Sequence, residues 1–429
     1  LPEKTNDLRV ESPHYPRMND AHQDEILSWI NRQGLDGATE SELLCGFCDE
    51  CRKHGMDLSS AVVVIDTLHP VYEGRAFRWS NNETEEPLIQ EYGSSSEGEG
   101  AENWQKSVFY HMSNTGESEK RCRLGAGDSR DFETLNELFD EGYTDYLAMI
   151  NRFTGSGVIG EMDCIYSYWT SRGETGFCDE DITALRRLVE HLALALKCAS
   201  LTRIAGTLAG VYLGHDAGQR VLSGRITRGV TERIHSVLWF SDLKGYTTIS
   251  DTAAPDEIIP FLNEYAELVI SSIHWAGGDV LKLIGDGTLA IFRADDPAEA
   301  CRAALRAESR VRIKIAKLNE RRKAEGKPAT SVYLGLHIGD VLYGNIGSDE
   351  RLDFTVVGPA VNEVSRIASM CRSVDRALLV STEFAEASHA DDRANFVSVG
   401  RFALRGVSRA EELFTLDPGL PPRDDAAIS

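Results

Sequence analysis

The chain has 429 residues, a formal net charge of −23 at neutral pH and nine cysteines. Its length suffices for two or three domains with cores of their own. So acidic a balance argues against nucleic acid or an anionic membrane as the main partner, and any phosphate must be held by local cations or metal. No apolar run is long enough to cross a bilayer. The chain opens on Leu1, so a leader could have been removed, and the remainder reads as soluble and cytoplasmic, without membrane insertion. Scattered cysteines suit a reducing compartment.

Residues 1–20 are polar and aperiodic and read as a flexible tail. From Gln23 to His54 the pattern is helical. Within it, Cys45, Cys48 and Cys51 have the spacing of a metal or iron–sulfur run. Against that, Leu43, Leu44, Phe47 and Cys48 make the apolar side of a helix, where buried free cysteine is common. Ala61–Asp66 and Arg75–Trp79 read as paired strands, followed by an acidic Gly/Ser loop from Gly93 to Asn103. Asp145–Ile150 and Cys164–Trp169 supply further strands, and Asp181 opens a long helix carrying Leu185, Leu188, Leu192, Leu194 and Leu196. Leu201, Ile204, Leu208 and Val211 then step at coiled-coil spacing, or pack on the preceding domain. Gly206, Gly210, Gly214, Gly218 and Gly224 predict bends in this connector rather than one rod.

The second half is organised around Val237–Ser250, an apolar run that empties into Asp242 and a turn at Gly245. It reads as a buried strand ending at a phosphate site: amides of Leu243 to Thr247 would face phosphate oxygens, with Asp242 holding a divalent metal against them. Asp286 stands in a Gly-Asp-Gly tip between two apolar runs, a hairpin signal that places a second carboxylate on a turn. Pro359 starts a helix on which Asn362 and Arg366 share one face. A helix is expected over Pro255–Trp275, another over Ala298–Arg321, and strands over Ser331–Ile338, Val341–Ile346 and Phe354–Val357. This order fits an α+β sandwich with a ferredoxin-like βαββαβ core.

These stretches carry Phe-x-Asp-Leu-x-Gly-Tyr-Thr from Phe240, Lys-x-x-Gly-Asp-Gly from Lys282, Gly-x-His-x-Gly-x-Val-x-x-Gly-Asn-Ile-Gly from Gly335, and Thr-Val-Val-Gly-x-x-Val-Asn-x-x-x-Arg from Thr355. Residues 233–418 thereby resemble the class III nucleotide cyclases. The resemblance implies that Asp242, Asp286 and the Leu243 carbonyl hold two Mg2+ or Mn2+ ions per site, with Gly245 in the phosphate loop. It implies that Asn362 fixes the ribose, that Arg366 meets charge on the α-phosphate, and that Arg405 stands where the family has a phosphate-binding lysine. Lys282 and Thr355 are implied as base readers. Adenine offers an N1 acceptor and an amino donor, which suits an ammonium beside an accepting hydroxyl. Asp353 is out of register by two with the family's aspartate, and the threonine variant resembles the subgroup that contains bicarbonate-responsive enzymes.

The expected function is an adenylate cyclase making cyclic AMP and pyrophosphate from ATP, with a cyclase for another nucleotide or a silent nucleotide-binding module as alternatives. In this family the carboxylates and the base, ribose and phosphate readers of one site come from different protomers, which implies a homodimer. Residues 21–198 are similar in pattern to a GAF domain, a sensor of small molecules, with its ligand unknown and His69, Trp79, His111 and Trp169 as pocket candidates. Residues 199–232 would then be a helical transducer and 419–429 a tail.

Overall fold

A computed structural model describes residues 18–82, 88–96, 98–153, 159–160, 162–404, 410–417 and 419. The chain divides into two compact units, residues 1–208 and 209–429.

In the first unit the Asn19 side chain accepts the His22 N–H and starts α1 (Asp20–Asp36), which Gly37 ends in the left-handed region at φ 80°. Thr39 and Glu42 form a capping box that starts α2 (Glu40–Lys53). There follow β1 (Ser60–Asp66), β2 (Gly74–Ser80), β3 (Leu88–Tyr92), α3 (Gly98–Gln105), α4 (Val108–Thr115), β4 (Glu119–Cys122), α5 (Glu133–Asp140), β5 (Asp145–Arg152), β6 (Cys164–Ser171) and α6 (Asp179–Leu213). The strands lie in the order β3, β2, β1, β6, β5, β4, all antiparallel. On one face Ile26, Phe47, Trp169, Leu185 and Leu188 form a core with α1, α2 and α6. On the other, Phe109, Met112, Leu135 and Tyr146 pack under α4 and α5. Both faces are buried at β5 and β6, which is why these strands read as nearly continuous apolar runs.

Several expectations change here. The acidic loop contains α3. Gly206 and Gly210 lie inside α6, which continues to Leu213, and the backbone turns only at Gly214, with φ 87°. Glycine lowers helix stability without forbidding the helix, and neighbouring residues with good propensity carry it through. By length and composition α6 could cross a membrane, yet its Leu185, Leu188, Leu192 and Leu196 are buried in the core of the unit. Cys48 and Cys51 are fully buried in that core, and burial pushes both thiols up, so the apolar-helix reading of the cysteine run holds and the metal reading does not. Trp79 and Trp169 are likewise core residues, and His69 accepts the N–H groups of Val71 and Tyr72.

The second unit contains α7 (His215–Leu222), β7 (Thr231–Leu243), α8 (Tyr246–Thr252), α9 (Pro255–Trp275), β8 (Asp279–Ile284), β9 (Gly287–Arg293), α10 (Pro297–Ala324), β10 (Val332–Gly347) and β11 (Leu352–Val357). After these come α11 (Pro359–Val374), β12 (Leu378–Ser381), α12 (Thr382–Ala387), α13 (Ala390–Arg393), β13 (Phe396–Ala403) and β14 (Ala410–Leu416). The sheet runs β13, β14, β12, β10, β7, β9, β8, with β11 paired to β10. The succession β7, α9, β8, β9, α10, β10 lies in space as β10, β7, β9, β8, the strand order of a ferredoxin-like βαββαβ unit.

Successive residues of β7 feed opposite faces: Val237 and Trp239 join Phe261, Tyr265 and Phe292 under α9 and α10. Leu238 joins Tyr343, Phe354, Val356 and Val364 beneath β11 and α11. The two strands expected over Ser331–Ile346 are one strand. Its ladder with β7 is unbroken from Val332 opposite Leu243 to Gly344 opposite Thr231, and Gly339 and Asp340 take their places in it. At Gly335 a Cβ would stand 2.6 Å from the Ala368 nitrogen and 2.7 Å from the Val364 oxygen, so glycine lets α11 sit directly on the strand.

Candidate active site

The pairing of β7 with β9, Ser241 opposite Thr288, brings the end of β7 against the β8–β9 tip. Gly285, at φ 63°, makes that tip. The Leu243 N–H donates both to Asp242 Oδ1, at 3.1 Å, and to Asp286 Oδ2, at 3.2 Å. One donor between two carboxylates leaves their charges facing each other. Burial, together with Asp286, pushes the Asp242 carboxyl up to about 7. Neither carboxylate has a cationic partner among the described residues. A pair of hard oxygen donors that raises its own proton affinity for want of positive charge fits a divalent cation such as Mg2+ or Mn2+. Leu243 is buried, and Gly245, at φ 72°, starts α8 in the left-handed region. A cavity of about 160 Å3 opens beside the pair, lined by Asp242, Asp286, Leu283, Ile259, Leu262 and other residues of β7, α9 and the tip.

A second cluster lies on β8 and β11. The β8–β9 ladder shifts register between Val280 and Lys282, a bulge that re-aims the lysine. The Lys282 ammonium forms an ion pair with the Asp353 carboxylate. Asp353 and Thr355 are two apart on β11, hence on one face, while Phe354 and Val356 point into the core. On α11, begun by Gly358 and Pro359, Asn362 is exposed and Arg366 half-buried. None of Lys282, Thr355, Asn362 and Arg366 lines the cavity beside Asp242 and Asp286. Arg405 lies outside the described residues.

The family described as adenylate and guanylate cyclase catalytic domain matches residues 231–417. These residues form an adenylate/guanylate cyclase catalytic domain. The chain is similar to the adenylate cyclase of Anabaena cylindrica, 32% identical over 213 residues that make up 47% of this chain and 41% of that protein. It is similar to adenylate cyclase 1 of Rhizobium meliloti, 27% identical over 210 residues, 48% of this chain and 29% of that protein. The chain therefore spans less than half the length of these curated relatives. Among solved structures it is similar to the adenylyl cyclase CyaB from P. aeruginosa, with TM-score 0.41, 24% identity, and coverage of 45% of this chain and 99% of that one.

Two features of the cyclase domain were missed by sequence reasoning. Asp353 was discounted for its register with the family pattern, although the period of two along a strand already places it beside Thr355. The other is a buried polar cluster next to Asn362: His337 Nδ1 lies 2.8 Å from Ser381 Oγ and 3.5 Å from Glu363 Oε1. Ligating atoms of His337, Glu363 and Glu383 fall within 4.8 Å of one another. Burial, then the neighbouring Glu411, pushes the Glu363 carboxyl up to about 8, and burial lowers His337 to about 4. These residues come from β10, α11, α12 and β14, and no local spacing announces such a meeting.

Proposed function

We propose that the protein is an adenylate cyclase, converting ATP to 3′,5′-cyclic AMP and pyrophosphate at a homodimer interface. The observation that carries this reading is the carboxylate pair Asp242 and Asp286, held on one N–H with no cation of its own. Two Mg2+ or Mn2+ ions bound there would supply Lewis acidity at the ribose 3′-hydroxyl and neutralise triphosphate charge. The protein's own groups do the rest. Leu243 directs both carboxylates through its N–H and offers its carbonyl as a further ligand. Asn362 holds the ribose, and the Arg366 guanidinium stabilises charge that builds on the α-phosphate during attack. Lys282, with Thr355 beside it, presents a donor and an acceptor to the adenine edge. Both curated relatives named above are called adenylate cyclases, which supports ATP over GTP.

The dimer reading is supported by the absence of the nucleotide-reading side chains from the cavity beside Asp242 and Asp286. It is supported too by exposed apolar residues at both places: Leu283, Ile284 and Ile259 near the carboxylates, and Leu342, Ile346, Leu352 and Val357 on β10 and β11. Residues 21–198 act in this reading as a sensor and 199–232 as its transducer, in the cytoplasm. Incubating the full chain with each of ATP, GTP, CTP and UTP plus Mg2+ or Mn2+ tests the proposal, with Asp242→Ala as blank. Cyclic AMP that vanishes in the blank is expected. A different predominant cyclic product, product from Asp242→Ala, or nucleotide binding without turnover would overturn it.

A further inference from the structure

The sheet of the first unit is sealed on the side of α1, α2 and α6 but not on the other. Beside the Phe109 core, a cleft of about 920 Å3 opens over β1 and β2. That volume suits one small molecule. Val64 and Ala76 lie at its floor, and Trp104, Phe109 and Tyr166 make its wall. Tyr166 meets Trp104 edge-on at 5.4 Å between ring centroids and Phe109 at 5.2 Å, which fixes all three rings. Every charged side chain that lines the cleft is acidic: Asp66, Glu73 and Asp163.

The carboxylates are oriented rather than loose. The Tyr92 hydroxyl donates to Asp66 Oδ1 at 2.6 Å, and burial followed by that carboxylate drives the Tyr92 proton affinity up, so the tyrosine stays a donor. Glu73 accepts from the Ser95 N–H at 2.5 Å and from the Ser95 hydroxyl. Like charges around an aromatic hollow are costly to hold together unless a positive group answers them. Aromatic faces favour a cation for the same electrostatic reason. An anion in the cleft would meet three carboxylates and no lysine, arginine or histidine among the lining residues.

We propose that this cleft binds a small organic cation, an amine or ammonium group carried on a flat ring, with the ring against Trp104 and the charge among Asp66, Glu73 and Asp163. Ligands built around a phosphate, cyclic nucleotides included, are excluded by the same charges. The inference deepens the sensor role proposed for this unit. Its test reads binding directly, so its failure is distinguishable from failure of the cyclase assignment.

Three indoles differing chiefly in side-chain charge serve as probes: tryptamine, tryptophol and indole-3-acetate. Each is titrated by calorimetry into the full chain at neutral pH. Tryptamine is expected to bind with one site per chain, tryptophol more weakly and indole-3-acetate not at all. Asp66→Asn and Glu73→Gln should each weaken tryptamine by about tenfold, the loss expected when a bound charge forfeits a charged hydrogen-bond partner. Trp104→Leu should weaken tryptamine and tryptophol alike, and Trp104→Phe, which keeps an aromatic wall, should restore part of the affinity. Thermal unfolding of each variant verifies that it folds. Equal binding of the anion, no binding of tryptamine, or unchanged affinity in the folded Asp66→Asn/Glu73→Gln double variant would overturn the proposal.

Discussion

Replacing Asp286 by asparagine should make the ion-free protein more stable while removing its response to metal. The two acceptors of the Leu243 N–H lie 3.1 and 3.2 Å from it, so they are at most about 6 Å apart. At an effective dielectric near 20, two full charges at that separation repel by about 3 kcal/mol. Asp242 is exposed, and solvent screening reduces the usable part to about 1 kcal/mol. Asparagine retains the Leu243 hydrogen bond and removes the charge, so the gain should appear as a higher urea midpoint at unchanged slope. Adding Mn2+ should reverse the ranking. At a hundred times its dissociation constant a ligand adds about 2.7 kcal/mol to a protein that binds it and little to one that has lost a ligand. Urea unfolding of both proteins, with and without Mn2+, measures all four quantities. A less stable ion-free Asp286→Asn protein, or equal stabilisation of both by Mn2+, would show that the carboxylates are an ordinary turn and not a cation site.

Asp353→Asn should leave stability within about 1 kcal/mol, because the ion pair with Lys282 is exposed. It should still raise KM for ATP several-fold and narrow the preference over GTP by freeing the lysine; steady-state rates with both nucleotides read this, and unchanged values would remove Asp353 from base selection. Gly335→Ala places a methyl against α11 backbone and should cost about 1–3 kcal/mol, seen in the same denaturation assay. Glu363 predicts a fall in stability with rising pH. Its proton is held more tightly in the folded state, so its contribution is full below about 4.5 and lost as pH climbs to about 8. His337 works in the opposite sense, its contribution being lost as pH drops from 6.5 towards about 4, so the interval above 6.5 isolates the glutamate. Glu363 faces Glu411, Glu383, His337 and Arg366, and Glu363→Gln should flatten the decline between pH 6.5 and 8 without altering those neighbours. A parallel decline in the variant would locate the effect elsewhere.

The catalytic half was legible because its chemistry is local. Asp242 follows an apolar run, Asp286 sits on a Gly-Asp-Gly tip, and Asn362 and Arg366 are four apart, so each is placed by a turn or a helical period before any tertiary contact forms. Even there, the break expected at Gly339 and Asp340 did not occur, because a ladder of thirteen pairs with β7 outweighs one glycine's propensity. What stayed hidden is long-range. Asp353 meets Lys282 across 71 positions of sequence, and the His337, Glu363 and Glu411 cluster needs three separate elements to close over it.

The first unit illustrates the same limit from the other side. The aromatics that drew attention in the sequence, Trp79 and Trp169, are the ones folding buries most completely, because bulky rings in strands are what a core selects. The cleft is instead walled by Trp104, from a segment read as an acidic loop, and by Tyr166, one face removed from Trp169 on the same strand. Strand periodicity separates Tyr166 from Trp169, since residues three apart point to opposite faces. It does not say which face will be left open. That depends on whether α3 and α4 close over it, and here they leave room for a molecule the chain itself does not supply.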